Sequence, residues 1–294
     1  MIDILTLNYN DAETTLSFVN KVKNYACVSH VVVVDNASTD DSYNQLKTIE
    51  SDRVVLIRSN SNNGYGAGNN IGVRYIKGHF HTQRVLLANP DVIIEEEVLL
   101  ALDKYMSVNM QCAIAAPFMC DKQGNKQPHS AFKLPTLSQY VMSLDILTSK
   151  FHTPMRYKNL VNTSDEAIKV GAVSGSCFML DVDKFIEVGG FDERIFLYCE
   201  EVVLGKKMQS HHYDITLCPQ LCFIHNHSVT ISKNYRSKVS RQALLYKSKL
   251  FVIEHYFNAS VMVMLMAKGL SKISLLMMSC RDMVLSVAYG NKSR

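Results

Sequence analysis

Two adjacent carboxylates, Glu200-Glu201, follow an apolar-aromatic run, Ile195-Phe196-Leu197-Tyr198. Neighbouring acids at the end of a hydrophobic approach repel each other unless a cation, or a proton to be taken, sits beside them. That makes them candidates for proton-transfer chemistry. A plainer role competes with it, since a Glu-Glu pair opening a helix also complements the helix dipole. Further oxygen-bearing groups recur upstream: Asn8, Asp35-Asn36, Asn60 to Asn63, and Asn89-Pro90-Asp91. A site rich in Asp and Asn but poor in Lys and Arg handles phosphates best through a divalent metal. Mg²⁺ and Mn²⁺ prefer hard oxygen ligands and bind substrate phosphates directly. Phosphate-cradling loops of other kinds are absent from the sequence. Gly64-Tyr65-Gly66-Ala67-Gly68 lacks the last glycine of a dinucleotide fingerprint and follows a loop rather than a strand.

The elements that must position these groups alternate along the chain. Ile2–Leu7, Val31–Val34, Val54–Ile57 and Val85–Ala88 are predicted strands. Between them lie helices starting near Asp11, after Ser38-Thr39-Asp40-Asp41, and after the Gly/Asn-rich turn, with Asp and Ser as caps. This alternation predicts βαβ units, an α/β class and a mainly parallel central sheet flanked by helices. Such sheets bind ligands beyond the carboxyl ends of their strands, where the Asn and Asp residues fall. From Pro117 to Lys169 the pattern weakens; Val170–Leu180 is a predicted strand, Asp183–Val188 a short helix, and a helix follows from Glu200. Ile215–Leu217 and Leu221–Ile224 are predicted short strands, and the remainder is helical in character.

The 294 residues suffice for one large domain or two smaller ones. A net charge of +4 is too small to argue for nucleic acid, and no nucleic-acid partner is expected. The eight cysteines are scattered without a zinc pattern, which predicts free, mostly buried thiols in a reducing compartment. The chain opens on a strand without a basic leader, so a cytoplasmic location is expected.

Five segments in order, Val34 to Ser42, Asn63 to Asn70, Ala88 to Val92, Gly189 to Glu193 and Tyr198 to Glu201, resemble the family-2 inverting glycosyltransferases of the GT-A fold. The similarity is greatest to rhamnosyltransferase-like enzymes of bacterial O-antigen, capsule and cell-wall synthesis, and it spans roughly residues 2–230. It implies a catalytic domain over 1–230 and a helical C-terminal region over 231–294. The resemblance places Asn8 and Asp35 at the nucleotide base and ribose and Asn69 and Asn70 in the donor-binding loop, with Asn36 and Asn63 also expected to bind the donor. In the metal motif Asn89-Pro90-Asp91, Asn89 is on the donor side and Asp91 binds Mg²⁺ or Mn²⁺ bridging the diphosphate, and His225 is a further ligand to metal or diphosphate. Glu201 takes the place of the catalytic base with Glu200 as its neighbour, and Gly175, Ser176 and Asp192 are expected on the acceptor side. His227, on the same face as His225, is a weaker candidate.

Three departures stand out. The metal motif has one carboxylate, the base is Glu rather than the commoner Asp, and Val203 occupies a position where relatives often carry Asp. The expected reaction transfers rhamnose from dTDP-rhamnose, or a hexose from a UDP-sugar, to a lipid-linked or growing surface saccharide. The alternatives are a catalytically silent scaffold subunit and a nucleotidyltransferase, although Leu7 to Asp11 lacks the basic loop of the latter. Beyond the resemblance, the stretch Val261 to Ala267 is apolar but is interrupted by Lys268 and Lys272. Peripheral contact with the inner face of the cytoplasmic membrane is expected there. Packing of a helix pair on the catalytic domain, or a homo-oligomer contact, would produce the same pattern.

Overall fold

A computed structural model describes residues 1–145, 155–157, 160–162, 166–225 and 237–290, with side chains described through residue 283. His227 lies outside the described residues. The chain forms two compact units. The first comprises Met1–Leu134, Arg156–Phe196 and Glu200–Ser232; the second comprises Pro135–Met155, Leu197–Cys199 and Lys233–Arg294.

In the first unit the order is β1 (Ile2–Asn8), α1 (Ala12–Val22), β2 (Val28–Asp35), α2 (Ser42–Lys47), β3 (Val54–Arg58), α3 (Tyr65–His79), β4 (Arg84–Ala88), β5 (Val92–Ile93), α4 (Glu96–Val108), β6 (Cys112–Cys120) and β7 (Ala131–Phe132). In the second unit α5 spans Leu137–Met142. The first unit resumes with β8 (Ile168–Val170), β9 (Ala172–Val173), β10 (Cys177–Asp181), α6 (Val182–Glu187), α7 (Glu200–Ser210) and β11 (Asp214–His225). The helices α8 (Lys238–Tyr256) and α9 (Val261–Gly290) belong to the second.

The main sheet runs β3-β2-β1-β4-β10-β6-β11-β5, with β8 also pairing to β11. β1 to β4 are mutually parallel, as are β6 and β11. β10 runs antiparallel to both β4 and β6, so the sheet is mixed, with its parallel half at the N-terminus. The valine run of β2 shows why a buried strand reads as continuously apolar. Val31 and Val33 enter one core with Phe18, Val19, Leu99 and Leu102. Val32 and Val34 enter the other with Val73, Ile76 and Phe185. One strand thus binds helices to both faces.

Two expectations change. The predicted strand Val170–Leu180 is three strands: β8 pairs with β11, β9 pairs with β7 in a separate two-stranded sheet, and residues 174–176 turn before β10 joins the main sheet. There the Ser174 N–H bonds the Ser130 carbonyl at 3.0 Å, and the Ser174 hydroxyl lies 2.9 Å from that of Ser176. Conversely, the two predicted strands near the end of the unit are one, β11, with a register shift between Cys218 and Cys222. Pro219 lies in the shift, and its missing N–H accounts for the break in pairing. Asp11 also forms no side-chain cap on α1, whereas the cysteines are free and mostly buried as expected, with Cys222 and Cys280 exposed.

In the second unit, α5 opens with a capping box in which Thr136 and Gln139 satisfy each other's backbone N–H. Lys249 of α8 is buried and donates to the Ser143 carbonyl at 3.0 Å and hydroxyl at 2.9 Å; burial pulls its pKa down. By length and composition, Val261–Met283 is long and apolar enough to cross a membrane, with 22% of its most apolar window buried.

Candidate functional site

β1 sits between β2, leading to β3, and β4, so the winding of the parallel strands reverses there. The crevice beyond the strand ends at such a reversal is where open α/β sheets bind ligands. Asn8, Asp35 and Asn89 stand at those ends.

Asn8 and Asp35 are register partners and both are fully buried. Asn8 Nδ2 donates to Asp35 Oδ1 at 2.8 Å and to the Ser38 hydroxyl at 3.1 Å, while Asn8 Oδ1 accepts from the Thr15 hydroxyl at 2.8 Å. Asp35 also accepts from the Ser38 backbone at 3.1 Å. The network fixes the 35–38 turn, which includes Ala37 at φ 56°. Asn36 lies on its rim, donating to Asn62 at 3.0 Å and to the Gly64 carbonyl at 3.1 Å. Asn69 donates to the Tyr65 carbonyl at 3.0 Å. The remaining amide oxygens, Asn36 Oδ1 and Asn69 Oδ1, are buried without a hydrogen-bond partner among the described residues. Asn63 is exposed.

Asn70 has another task. Its Nδ2 donates to the Phe191 carbonyl and to Glu193, and its Oδ1 accepts from the Phe191 N–H, each at 3.0 Å. It clamps the turn that follows two left-handed glycines, Gly189 (φ 77°) and Gly190 (φ 56°). Asp192, next in line, accepts from Arg194 Nε at 2.9 Å and from its terminal nitrogen at 2.6 Å.

The Gly175–Ser176 turn joins the two halves of the site. The Gly175 N–H donates to Glu201 Oε1 at 3.3 Å, and the Gly175 carbonyl accepts from the Tyr65 hydroxyl. The Ser176 carbonyl accepts from the Asn89 N–H at 2.8 Å. One turn therefore connects the glycine loop, the end of β4 and the head of α7. Tyr65 is the residue that sequence reasoning missed, although it stands within the Gly64–Asn70 motif. A β-carbon at Gly175 would lie 2.9 Å from Glu201 Oε1. Because that oxygen ends a flexible side chain, Gly175→Ala should fold normally but displace the carboxylate. Turnover should fall by about 10²-fold, the cost of a misplaced reacting group, with an unchanged melting temperature as the control.

Asp91 follows β4 and stands beside β5, whose Val92 is the register partner of His225 on β11. His225 Nε2 meets Asp91 Oδ1 at 3.2 Å, with both side chains 13% exposed. A carboxylate and an imidazole converge there from positions 134 residues apart. Among the described residues no group of three or more His, Cys, Asp or Glu side chains is assembled for a metal. The pair fits Mg²⁺ or Mn²⁺ only as ions that complete their shell from substrate oxygens and water.

The carboxylate pair opens α7 after two consecutive left-handed residues, Tyr198 (φ 71°) and Cys199 (φ 74°). Such backbone stores about 1–3 kcal/mol per residue and collects at functional sites. A small, mainly apolar cavity lined by Ile114, Val173, Phe178, Phe191, Leu204 and Ile215 borders Glu201. Burial raises the pKa of Glu201. Glu200 is raised well above the ordinary glutamate value, first by burial and then by the charge of Glu201; its Oε1 has no partner among the described residues. Val203 is fully buried, so core occupies the position where the family resemblance suggested an acid.

A glutamate whose pKa is raised on folding stabilises the fold below its unfolded pKa, near 4.3. That contribution is lost as pH rises through the folded value. Glu200→Gln should therefore raise the melting temperature at neutral pH and flatten its decline from acid to neutral. Parallel melting curves for the two proteins across that window would contradict the assignment.

The family model described as Glycosyl transferase family 2 matches residues 3–189. The Low-salt glycan biosynthesis hexosyltransferase Agl10 of Haloferax volcanii is 27% identical over 262 residues, covering 88% of this chain and 78% of that protein. An N-acetylglucosaminyl-diphospho-decaprenol L-rhamnosyltransferase of Mycobacterium tuberculosis is 30% identical over 190 residues, covering 60% of each chain. In fold the chain is similar to the mannosyltransferase PcManGT from Pyrobaculum calidifontis, solved with GDP-Man and Mn²⁺. The TM-score is 0.55 at 13% identity, over 97% of this chain and 80% of that one. The mixed sheet with its Asn- and Asp-tipped parallel strands is thus a GT-A glycosyltransferase fold, and the chain belongs to glycosyl transferase family 2.

Proposed function

We propose that this glycosyltransferase moves rhamnose, from a dTDP donor, or a hexose, from a UDP donor, onto a lipid-linked or growing surface saccharide in a single inverting displacement on the cytoplasmic side. The observation that carries the reading is the turn at Gly175–Ser176, which connects Asn89, at the start of the metal motif, to Glu201. It gives one crevice both a place for a diphosphate and a base. The unpartnered oxygens of Asn36 and Asn69 are acceptors suited to the N–H and O–H groups of a nucleoside. The decaprenol-linked acceptor in the name of the mycobacterial relative supports a lipid-linked acceptor.

In this mechanism Glu201 takes the proton of the acceptor hydroxyl as it attacks the sugar carbon. The Gly175 N–H holds that carboxylate in place, and Tyr65 fixes the Gly175 peptide. Asp91 and His225 would hold a divalent cation, which when bound neutralises the diphosphate leaving group. Asn8 and Asp35 shape the turn beneath the nucleoside, and Asn70 holds the Phe191–Asp192 segment against α3. Because the base must be ionised and burial raises its pKa, activity should rise with pH through a midpoint above that of an ordinary glutamate. A pH profile of kcat/KM checks this; a midpoint at or below the usual glutamate value would speak against Glu201.

The deciding experiment is a thermal-shift screen of nucleoside diphosphates and nucleotide sugars with and without Mn²⁺. A ligand at ~100 times its Kd should add ~2.7 kcal/mol. A Mn²⁺-dependent shift with one nucleotide family, lost in Asp91→Ala, is the expected result. The buried Val203 favours one rival, a silent scaffold, which would bind the nucleotide yet never transfer or hydrolyse it. No shift with any nucleotide would overturn the reading.

A further inference from the structure

In a water-soluble helix pair the apolar stripe faces inward and the polar residues face out. α9 has the opposite arrangement. Its buried positions in the second turn and beyond are Met264, Ala267, Ser271 and Ser274, mostly small or hydroxylated. α9 packs along α8, and Ser274 hydrogen-bonds Tyr246 of that helix. The exposed side carries the large apolar groups: Val261 at 77%, Met262 at 80%, Leu265 at 66%, Ile273 at 57% and Leu276 at 66%. At about 100° per residue these five positions fall within an arc of roughly 120°, centred almost opposite the buried set. Water is a poor solvent for such a face, and a contiguous apolar surface of this kind marks an interaction site.

The charges point to its occupant. Lys268 stands just outside one edge of the arc and Lys272 just inside it, between Val261 and Leu265; both are exposed, and Arg281 lies roughly 80° beyond the other edge. Asp282, the one acid between Val261 and Met283, lies off the apolar face. Both lysines stand near the middle of the apolar length. A helix crossing the bilayer would place their ammonium groups at its midplane, which is strongly disfavoured. A second copy crossing there in a two-fold pair would bring four ammonium groups together. A helix lying flat sinks its apolar arc into the acyl boundary while the lysine stems reach up to anionic headgroups. We infer that the outward face of α9 is a docking surface for an anionic lipid bilayer, which α9 enters lying in the plane of the interface. This inference does not depend on which sugar the first unit transfers.

The test is co-sedimentation of the full chain with vesicles of phosphatidylcholine alone or with phosphatidylglycerol added. Binding should be at least about tenfold tighter to the anionic vesicles and should weaken with salt. The double variant Leu265→Gln/Leu276→Gln, altered only at exposed positions, should lose binding to both. Lys268→Gln/Lys272→Gln should keep weak binding but lose the preference for phosphatidylglycerol. Unchanged melting temperatures and nucleotide-induced shifts in both variants would separate this result from failure of the transferase reading. No association with either vesicle would overturn the inference. So would a wild-type dimer that vesicles do not dissociate and that the leucine variant does.

Discussion

Glu201→Gln should lower transfer by about 10²–10⁴-fold, the usual worth of a general base, while leaving the Kd for the nucleotide donor unchanged. The amide is nearly isosteric and keeps an oxygen for the Gly175 N–H, which Glu201 Oε1 accepts at 3.3 Å. It can no longer take a proton. It also removes the charge that helps raise Glu200, so the variant should melt at a higher temperature than the wild type at neutral pH. Lost turnover, retained donor affinity and increased stability together are the signature of a base held in a costly environment. A variant with wild-type turnover would remove Glu201 from the chemistry and leave the carboxylate pair without a catalytic role.

Gly64→Ala should be the most damaging small substitution in the first unit. Gly64 precedes α3 at φ 97° and ψ −178°, a region closed to residues with a β-carbon. A β-carbon there would lie 2.0 Å from the Phe196 carbonyl oxygen. That oxygen is backbone and cannot swing aside; it also accepts the Tyr65 N–H at 3.0 Å. Relieving the clash would pull apart the contact that seats Tyr65 and, through it, the Gly175 peptide. A loss of more than about 3 kcal/mol in urea unfolding is expected, combining strain with broken backbone contacts. A loss under about 1 kcal/mol would show that the loop can relax without the Phe196 contact.

Local pattern carried most of the fold. The valine run of β2, the helix that follows each strand and the Asn or Asp at the ends of β1, β2 and β4 specify the parallel half of the sheet. The Val170–Leu180 segment was harder to read, because its composition is that of one strand and only contacts with distant residues, β9 with β7 and Ser174 with Ser130, divide it. The roles of the polar residues were legible in proportion to the distance of their partners. Asp35 binds Ser38, three residues away, and a turn signal suffices to suggest it. Asn70 binds Phe191 across 121 residues, and nothing in the Gly-Asn loop announces that its amide is committed to a clamp. Tyr65 and Gly175, 110 residues apart, are similarly silent. The inverted face of α9 escapes a composition scan for another reason. Average hydropathy does not record which side of a helix is turned toward its neighbour.

The meeting of Asp91 with His225 on the last strand of the first unit has a consequence for synthesis. β1 to β4 and their helices lie within the first 88 residues and can pair as they emerge, since domains fold from the N-terminus during translation. β11, by contrast, pairs with β5, β6 and β8, and its His225 leaves the ribosome 134 residues after Asp91. At about 5–20 residues per second the nascent chain spends roughly 7–27 seconds with its early parallel strands complete and its metal pair unmade. A polypeptide released early in that interval would retain the nucleotide-side scaffold but lack His225, so translation itself delays the competence of this centre until the first unit is nearly finished.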